Sequence, residues 1–460
     1  MKRAVLAWLA VGVTALLASA PALAISPPQV DQAVPPPDGA PGPVAPMDQR
    51  GDCVASAVLP GTQPGTATAA QQLMNLPAAF QFSRGEGQTV AILDTGVRPG
   101  PRLPAVDAGG DYLATTDGLT DCDGHGTLIA GIVAGQPGDD GFSGVAPAAR
   151  LLSMRVTSAT LSPKGGGGED PALARAAVDL DALSRAIVHA ADMGARVITI
   201  PTVTCLPTDR PVDQTALGAA LRYAAVDKDA VIVAAAGDVG RAGAAGAGTA
   251  CDSNPPADLS RPDDPHNWAG VTSVSVPSWW QPYVLSVASL GAAGHPSPFT
   301  MAGPWVGIAA PGENVVSVSN RDDGGLANAL PGDKRKLVPL SGTGYATGYV
   351  AGVATLVRSK YPGLSATQVV DRLTRTAHNA AHRPSTLVGA GTVDPVAALT
   401  WELPAATHDT APARQLDPPP PPPVQDPTPR IVAYAGTAAL ALAVGAAAVI
   451  AARRRKEPTS

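Results

Sequence analysis

Between residues 71 and 401 the spacing of hydrophobic residues changes several times, from continuous apolar runs to helical periodicity and back. Short, mostly apolar runs predict buried strands, because a strand covered on both faces has no polar side. These runs are 89–93, 151–155, 197–200, 231–235, 285–289 and 306–309. Stretches with helical periodicity lie between or after them, at 178–193, 216–225, 340–357 and 365–376, and 395–399 closes the domain. The alternation predicts an α/β fold with a mostly parallel central sheet covered by helices on both faces.

The predicted helix within 340–357 carries glycine at every fourth position, Gly344, Gly348 and Gly352. This spacing places the three glycines on one helical face, where another backbone can approach closely. Because glycine lowers helix stability relative to alanine, the pattern indicates tight packing at the centre of the fold.

Both ends of the chain depart from this globular pattern. Residues 1–24 have the basic start, apolar run and Ala-Leu-Ala site of a secretory signal peptide, which we favour over an uncleaved anchor. Residues 25–70 begin with a Pro- and Gly-rich extended arm, which 71–401 follow as the main domain. The last segments are a Pro-rich linker at 402–430, a transmembrane helix at 431–452 and a basic cytoplasmic tail at 453–460. A buried core helix at 431–452 is disfavoured, because nothing after it could bury it.

Net charge and cysteine content argue against two classes of function, nucleic-acid binding and metal binding by cysteines. The net charge is −6, so no basic surface points to nucleic acid. The four cysteines, Cys53, Cys122, Cys205 and Cys251, favour two disulfides over a metal site in an exported chain, since no Cys-x-x-Cys occurs. Three pairings are possible. The sequential pairing would close loops of several tens of residues, each worth about 4 kcal/mol.

Three stretches carry candidate chemistry. Asp94 follows the first predicted strand, His125 lies in Asp-Gly-His-Gly-Thr, and Gly342-Thr343 opens the glycine-rich helix. Carboxylates at the carboxyl ends of parallel strands lie where open α/β folds place their sites. Asp, then His, then a Gly-Thr helix is the chain order of one version of the Ser-His-Asp triad, the subtilisin order.

With these motifs the chain resembles the subtilisin-like serine proteases (peptidase S8), and more closely the mycosins, membrane-anchored proteases of actinobacterial type VII secretion systems. The resemblance rests on the signal, the disulfide-tied arm, the linker and the anchor. It also rests on Asp-Cys-Asp-Gly-His-Gly-Thr at 121–127, Thr-Ala-His at 376–378 and the stretch 391–401. It implies a subtilisin-like fold, no cofactor and a single-pass location at the cell membrane with the main domain outside.

Matched by position, the resemblance gives Asp94 as the acid that orients the histidine and His125 as the general base. Two other positions depart from the family pattern. Asp238 stands in Ala-Ala-Gly-Asp where the family has its oxyanion asparagine, and Gly344 follows Gly-Thr where the family has its nucleophilic serine. Glycine cannot form an acyl-enzyme, and a carboxylate repels an oxyanion unless it is protonated. We therefore expect a catalytically impaired chain.

Neighbouring residues are weak substitutes. The hydroxyls of Ser341, Thr343 and Thr347 are not expected at the exposed start of the helix. Thr199 and Pro201 lie on the strand that, by resemblance, leads to the substrate edge, where proline removes a backbone donor. Trp279 and Trp280 are interpreted as packing residues, and no acidic cluster predicts a metal site.

Three hypotheses follow from the sequence. The first is a structural or regulatory component of a type VII secretion membrane complex without peptidase activity. The second is an active serine-type endopeptidase that processes secreted proteins with a substitute nucleophile. The third is a module that holds a peptide or protein ligand in the former substrate groove without cutting it.

Overall fold

The computed structural model describes residues 25–164, 170–240, 251–255, 260–261, 263–321, 323–380 and 385–403, with the separate helical positions 439, 442, 443, 446 and 447. The chain separates into two units, 1–403 and 404–460, and the first contains the central sheet and its helices. The predicted signal peptide, most of the predicted linker and the tail lie outside the described residues. So does the predicted membrane helix 431–452, apart from those five positions. Within the described residues, no helix is long and apolar enough to cross a bilayer.

A seven-stranded parallel sheet forms the centre of the first unit, with the order β11-β10-β8-β6-β2-β4-β3. Its strands are β2 Thr89–Asp94, β3 Val106–Asp111, β4 Arg150–Arg155, β6 Val197–Ile200, β8 Val231–Ala235, β10 Val284–Leu290 and β11 Val306–Pro311. All six predicted strands are confirmed. The edge strand β3 was not predicted, because Val-Asp-Ala-Gly-Gly-Asp contains no apolar run.

Helices cover both faces of this sheet, as the sequence predicts. They are α1 Ala69–Met74, α2 Leu76–Ala79, α3 His125–Ala134, α4 Pro171–Asp192, α5 Thr215–Arg222, α6 Thr343–Lys360, α7 Ala366–Thr376 and α8 Pro395–Thr400. One apolar cluster contains residues of α3, α6 and α7, and a second contains residues of α4 and α5. A π-helical turn, Tyr223–Asp227, continues α5, and short 3-10 turns lie at Trp268–Gly270 and Asp333–Arg335.

The glycines of α6 pack as their spacing predicts. A Cβ placed on Gly348 would lie 3.2 Å from Cγ2 of Ile132, and one on Gly352 would lie 2.4 Å from Cβ of Val145. Ile132 belongs to α3. α6 is therefore the buried central helix, with sixteen of its eighteen residues buried.

The N-terminal arm is part of this domain. The predicted extended arm contains a short strand, β1 Met47–Gln49, which pairs with β5 Leu161–Pro163. Residues 165–169, shortly after β5, are outside the described residues. The remaining strands form three small sheets: β7 Thr204–Pro207, β9 Ser273–Val276, β12 Ser317–Val318, β13 Leu326–Ala327, β14 Ala329–Pro331 and β15 Leu337–Pro339. The cysteines pair sequentially, Cys53 with Cys122 and Cys205 with Cys251.

Candidate functional site

The candidate residues converge at the carboxyl edge of the sheet. Asp94 is the last residue of β2, and His125 is the first residue of α3. Asp238 follows β8, and Gly344 is the second residue of α6. The structure therefore brings together four positions that lie far apart in the sequence, at the edge where parallel sheets place their sites.

Asp94 and His125 form a close, buried pair. The Nδ1–H of His125 donates to Oδ2 of Asp94 at 2.8 Å and lies 2.9 Å from Oδ1. Asp94 is fully buried, and His125 is 6% exposed. Burial lowers the pKa of His125, but the charge and hydrogen bond of Asp94, together with the charges of Asp121 and Asp123, raise it above its ordinary value. The imidazole is thus held by its Nδ1 edge, with Nε2 turned away from Asp94.

Asp121 was not singled out from the sequence, although it lies in the same motif. Its carboxylate accepts hydrogen bonds from the Thr95 hydroxyl, from the backbone N–H of Gly124, and from both the N–H and hydroxyl of Thr127. These bonds fix the turn that begins α3 and so orient His125. Burial raises the pKa of Asp121 to about 6, although its hydrogen bonds oppose the shift.

Gly344 lies directly in front of the histidine. A Cβ built on Gly344 would be 3.4 Å from both Cε1 and Nε2 of His125. This is the place where a nucleophilic side chain would meet a general base. Glycine leaves the imidazole Nε2 without a hydroxyl partner at this position.

Asp238 faces the start of α6. Its Oδ1 accepts the backbone N–H of Thr343 at 2.9 Å. Burial raises the pKa of the Asp238 carboxyl, and the hydrogen bonds to Thr343 and the charge of His125 offset part of that shift. An asparagine could accept the same N–H through Oδ1 and donate through Nδ2, whereas an ionised aspartate offers only acceptors.

The nearby hydroxyls are engaged elsewhere. Ser341 Oγ accepts the N–H of Asn314, and Thr343 Oγ1 accepts the N–H of Gly237. The buried Thr347 hydroxyl donates to the carbonyl of Thr343. These contacts agree with the expectation that none of the three is placed as a nucleophile.

Tyr345 supplies a fourth hydroxyl that the sequence did not suggest. Its ring centroid lies 5.2 Å from that of His125, and its hydroxyl is buried without a hydrogen-bond partner in the described structure. Burial, together with the charges of Asp94, Asp238 and Asp121, raises its pKa. A phenol that resists ionisation is a poor nucleophile.

Trp279 and Trp280 keep their interpretation as packing residues. The indole N–H groups of Trp279 and Trp280 both donate to Oε1 of Gln214. Trp280 is 3% exposed. Thr199 is fully buried on β6, two residues before Pro201 at the site edge. In the described part of the chain, no three His, Cys, Asp or Glu side chains are grouped to hold a metal ion.

The fold and this site define a subtilisin-like protein, and comparisons with known proteins place it further. The subtilase family model (peptidase S8) matches residues 85–391. Mycosin-3 of Mycobacterium tuberculosis (strain ATCC 25618 / H37Rv) is 68% identical over 442 residues, which are 95% of this chain and 95% of that protein. The chain belongs to the subtilase family, and within it to the mycosins.

Solved structures agree with this assignment. The structure of the MycP3 protease from the type VII (ESX-3) secretion system matches with a TM-score of 0.79 and 63% identity, covering 82% of this chain and all of that one. A chain of an intact ESX-5 inner membrane complex matches with a TM-score of 0.78 and 45% identity. That match covers 93% of this chain and all of the other.

Proposed function

We propose that this mycosin is a membrane-anchored, structural or regulatory component of a type VII secretion complex and that it does not hydrolyse peptides. The observation that carries the proposal is Gly344, which presents no side chain to Nε2 of His125. Without an oxygen nucleophile at this position, the acyl-enzyme of the serine-protease reaction has no atom on which to form.

The charge at the oxyanion position supports the same proposal. An oxyanion is stabilised by hydrogen-bond donors, and loss of one donor lowers turnover by about 10²- to 10³-fold. Oδ1 of Asp238 accepts the N–H of Thr343, and in its ionised form this side chain would repel a developing negative charge. Loss of a subtilisin nucleophile lowers turnover by about 10⁶-fold, so the two changes act in the same direction.

The proposed location, a secretion complex in the membrane, is supported by a related structure and by the C-terminal sequence of the chain. A chain of the intact ESX-5 inner membrane complex matches this one over all of its own length. The apolar run 431–452 and the basic residues after it favour one membrane span with the domain outside and the C-terminus in the cytoplasm. The membrane and the secretion complex are therefore the proposed partners.

We expect the full-length protein in membranes to resist labelling by a fluorophosphonate, which reacts with activated serines. A catalytically intact mycosin labelled in parallel serves as the positive control. Labelling of the wild-type chain, or peptide cleavage that His125→Ala abolishes, would establish the alternative, an active endopeptidase. The buried Asp94–His125 pair is the observation that favours this alternative, because it preserves the general base.

A further inference from the structure

The space in front of His125 is partly filled by backbone. A Cβ on Gly344 would lie only 2.6 Å from the carbonyl oxygen of Pro201, the residue after β6. Real Cβ atoms essentially never approach another heavy atom within 3.0 Å. Because this neighbour is a backbone atom, a larger residue at 344 requires β6 or the start of α6 to move.

The start of α6 is closed from a second direction. Gly342, the residue before the helix, makes no side-chain cap, and the first N–H groups of a helix need acceptors. Asp238 supplies one acceptor through Thr343, and its Oδ2 would lie 2.9 Å from a Cβ on Gly342. A carboxylate is also favourable at the positive end of a helix. Asp238 therefore acts as the cap that Gly342 cannot provide.

We infer that these five residues, Pro201, Asp238, Gly342, Thr343 and Gly344, form a closed site that joins β6, β8 and α6 and excludes a peptide carbonyl. This inference rests on the proposed loss of catalysis and deepens it. The oxyanion position holds an acceptor, and the carbonyl of Pro201 occupies the space next to the nucleophile position. Glycine at position 344 is then required by the packing, in addition to leaving the site without a nucleophile.

The closed site has a consequence for the partner. Asp238 already accepts the N–H of Thr343, so this donor is not available to the carbonyl of a peptide held in the former substrate groove. The structure therefore disfavours a peptide ligand at this place. Proline at 201 contributes directly, because its fixed φ and missing N–H limit how the end of β6 can move or bind a strand.

A double-mutant cycle between positions 344 and 201 tests the closed site. We expect Gly344→Ala to lower Tm by about 3 °C or more, since overpacking opposes the helix-propensity gain of alanine. Gly348→Ala is the matched control, because its Cβ would meet a side-chain atom, Cγ2 of Ile132, at the longer distance of 3.2 Å and no backbone atom. It should lower Tm by less. Pro201→Ala should reduce the loss caused by Gly344→Ala, since it lets the strand end shift.

Two outcomes would overturn the closed site. One is a Gly344→Ala variant that is as stable as Gly348→Ala. The other is strict additivity of the changes at 344 and 201, which would mean that the two residues do not restrain each other.

Fluorophosphonate labelling of repaired variants separates this inference from the proposed function. We expect Gly344→Ser with Asp238→Asn to remain unlabelled, and Pro201→Ala added to this pair to raise labelling at least tenfold. Full labelling of the double variant would contradict the closed site while leaving the proposed function intact. Labelling of the wild-type chain would contradict the proposed function, whatever the Tm cycle shows.

Discussion

His125 lies among three carboxylates, those of Asp94, Asp121 and Asp123, and these charges decide its protonation. The raised pKa of His125 extends the imidazolium form to higher pH than in an ordinary histidine. A group whose folded pKa is raised stabilises the fold fully below its unfolded value and loses that effect as pH rises through the folded value. The pair with Asp94 thus retains a structural role that needs no reaction.

Asp121 gives a sharper test at the residue scale. Its pKa is about 6 in the folded state against 3.8 as the ordinary value. Between these values the folded state binds more protons than the unfolded state, so the free energy of unfolding falls as pH rises. A pKa difference of this size corresponds to about 3 kcal/mol. We expect Asp121→Asn to reduce the slope in urea unfolding measured from about pH 4 to 7, while the contribution of Asp179, whose pKa burial also raises to about 6, persists.

The control for this measurement is Asp52→Asn, at a side chain that is 97% exposed. That variant should keep the wild-type slope. If Asp121→Asn also keeps it, the carboxyl is not the group that titrates. The measurement compares the pH dependence of stability and not stability itself. The asparagine side chain of Asp121→Asn also disturbs the hydrogen bonds to Thr127 and Gly124, and that effect changes stability at every pH.

Short sequence motifs predicted four positions of the site but not the residues that reach it only through the folding of the chain. Asp94, His125, Asp238 and Gly344 were found because each follows a short motif in a fixed order. The carbonyl of Pro201 could not be found this way, since its position depends on how β6 ends beside α6. Tyr345 was missed for a related reason: its neighbour in space, His125, is 220 residues away in the sequence.

At the scale of elements, α6 is tied to the sheet by a buried guanidinium near its C-terminal end. Arg358 is 1% exposed, and its Nη1 donates to Oδ2 of Asp229 at 3.1 Å and to the carbonyl of Leu364 at 2.8 Å. Asp229 also accepts the N–H of Ala366, the first residue of α7. One ion pair therefore connects α6, α7 and the turn before β8.

We expect Arg358→Met to lower the free energy of unfolding by about 2 kcal/mol, because it removes the charged hydrogen bonds of a buried guanidinium to Asp229 and Leu364. The loss is limited because Asp229 is 38% exposed and keeps its ion pair with Arg196. Arg150→Met is the matched control, since its pair with Asp107 joins side chains that are 65% and 45% exposed. That change should lie within about 0.5 kcal/mol of the wild type. Equal effects of the two variants in chemical denaturation would show that the buried pair is not stabilising.

The hydrophobic pattern predicted elements well where packing is uniform. β2, β6 and β8 are buried on both faces, so their runs are continuous and their bounds agree with the prediction within a residue. The pairing of β1 with β5 was not predictable, because it joins segments more than a hundred residues apart that contain few apolar positions. α4 also begins earlier than predicted, at Pro171, since Asp170 caps it by accepting the N–H of Ala172.

At the scale of the whole domain, the N-terminal arm is held at several separate places. The N–H of Gly42 donates to the carbonyl of Asp111, and the N–H of Val44 donates to that of Tyr112. Further along the arm, the carbonyl of Val54 accepts a hydrogen bond from Nδ2 of Asn320. The arm therefore contributes to the fold along much of its length and is not attached by the disulfide alone.

The Cys53–Cys122 bridge adds a covalent restraint to these contacts and links the arm to the segment before His125. It closes a loop of 69 residues, so the chain-entropy model assigns it about 4 kcal/mol. We expect Cys53→Ser with Cys122→Ser to lower Tm while the arm remains protected in amide hydrogen exchange at residues 42–49, because its backbone pairs persist. Replacing Cys205 and Cys251 by serine is the matched control: it should lower stability without changing exchange in the arm.

Loss of protection throughout the arm in the first variant would mean that the disulfide alone holds it in place. Retained protection would support an arm that is a permanent part of the domain, and its removal should then destabilise the chain without releasing peptidase activity.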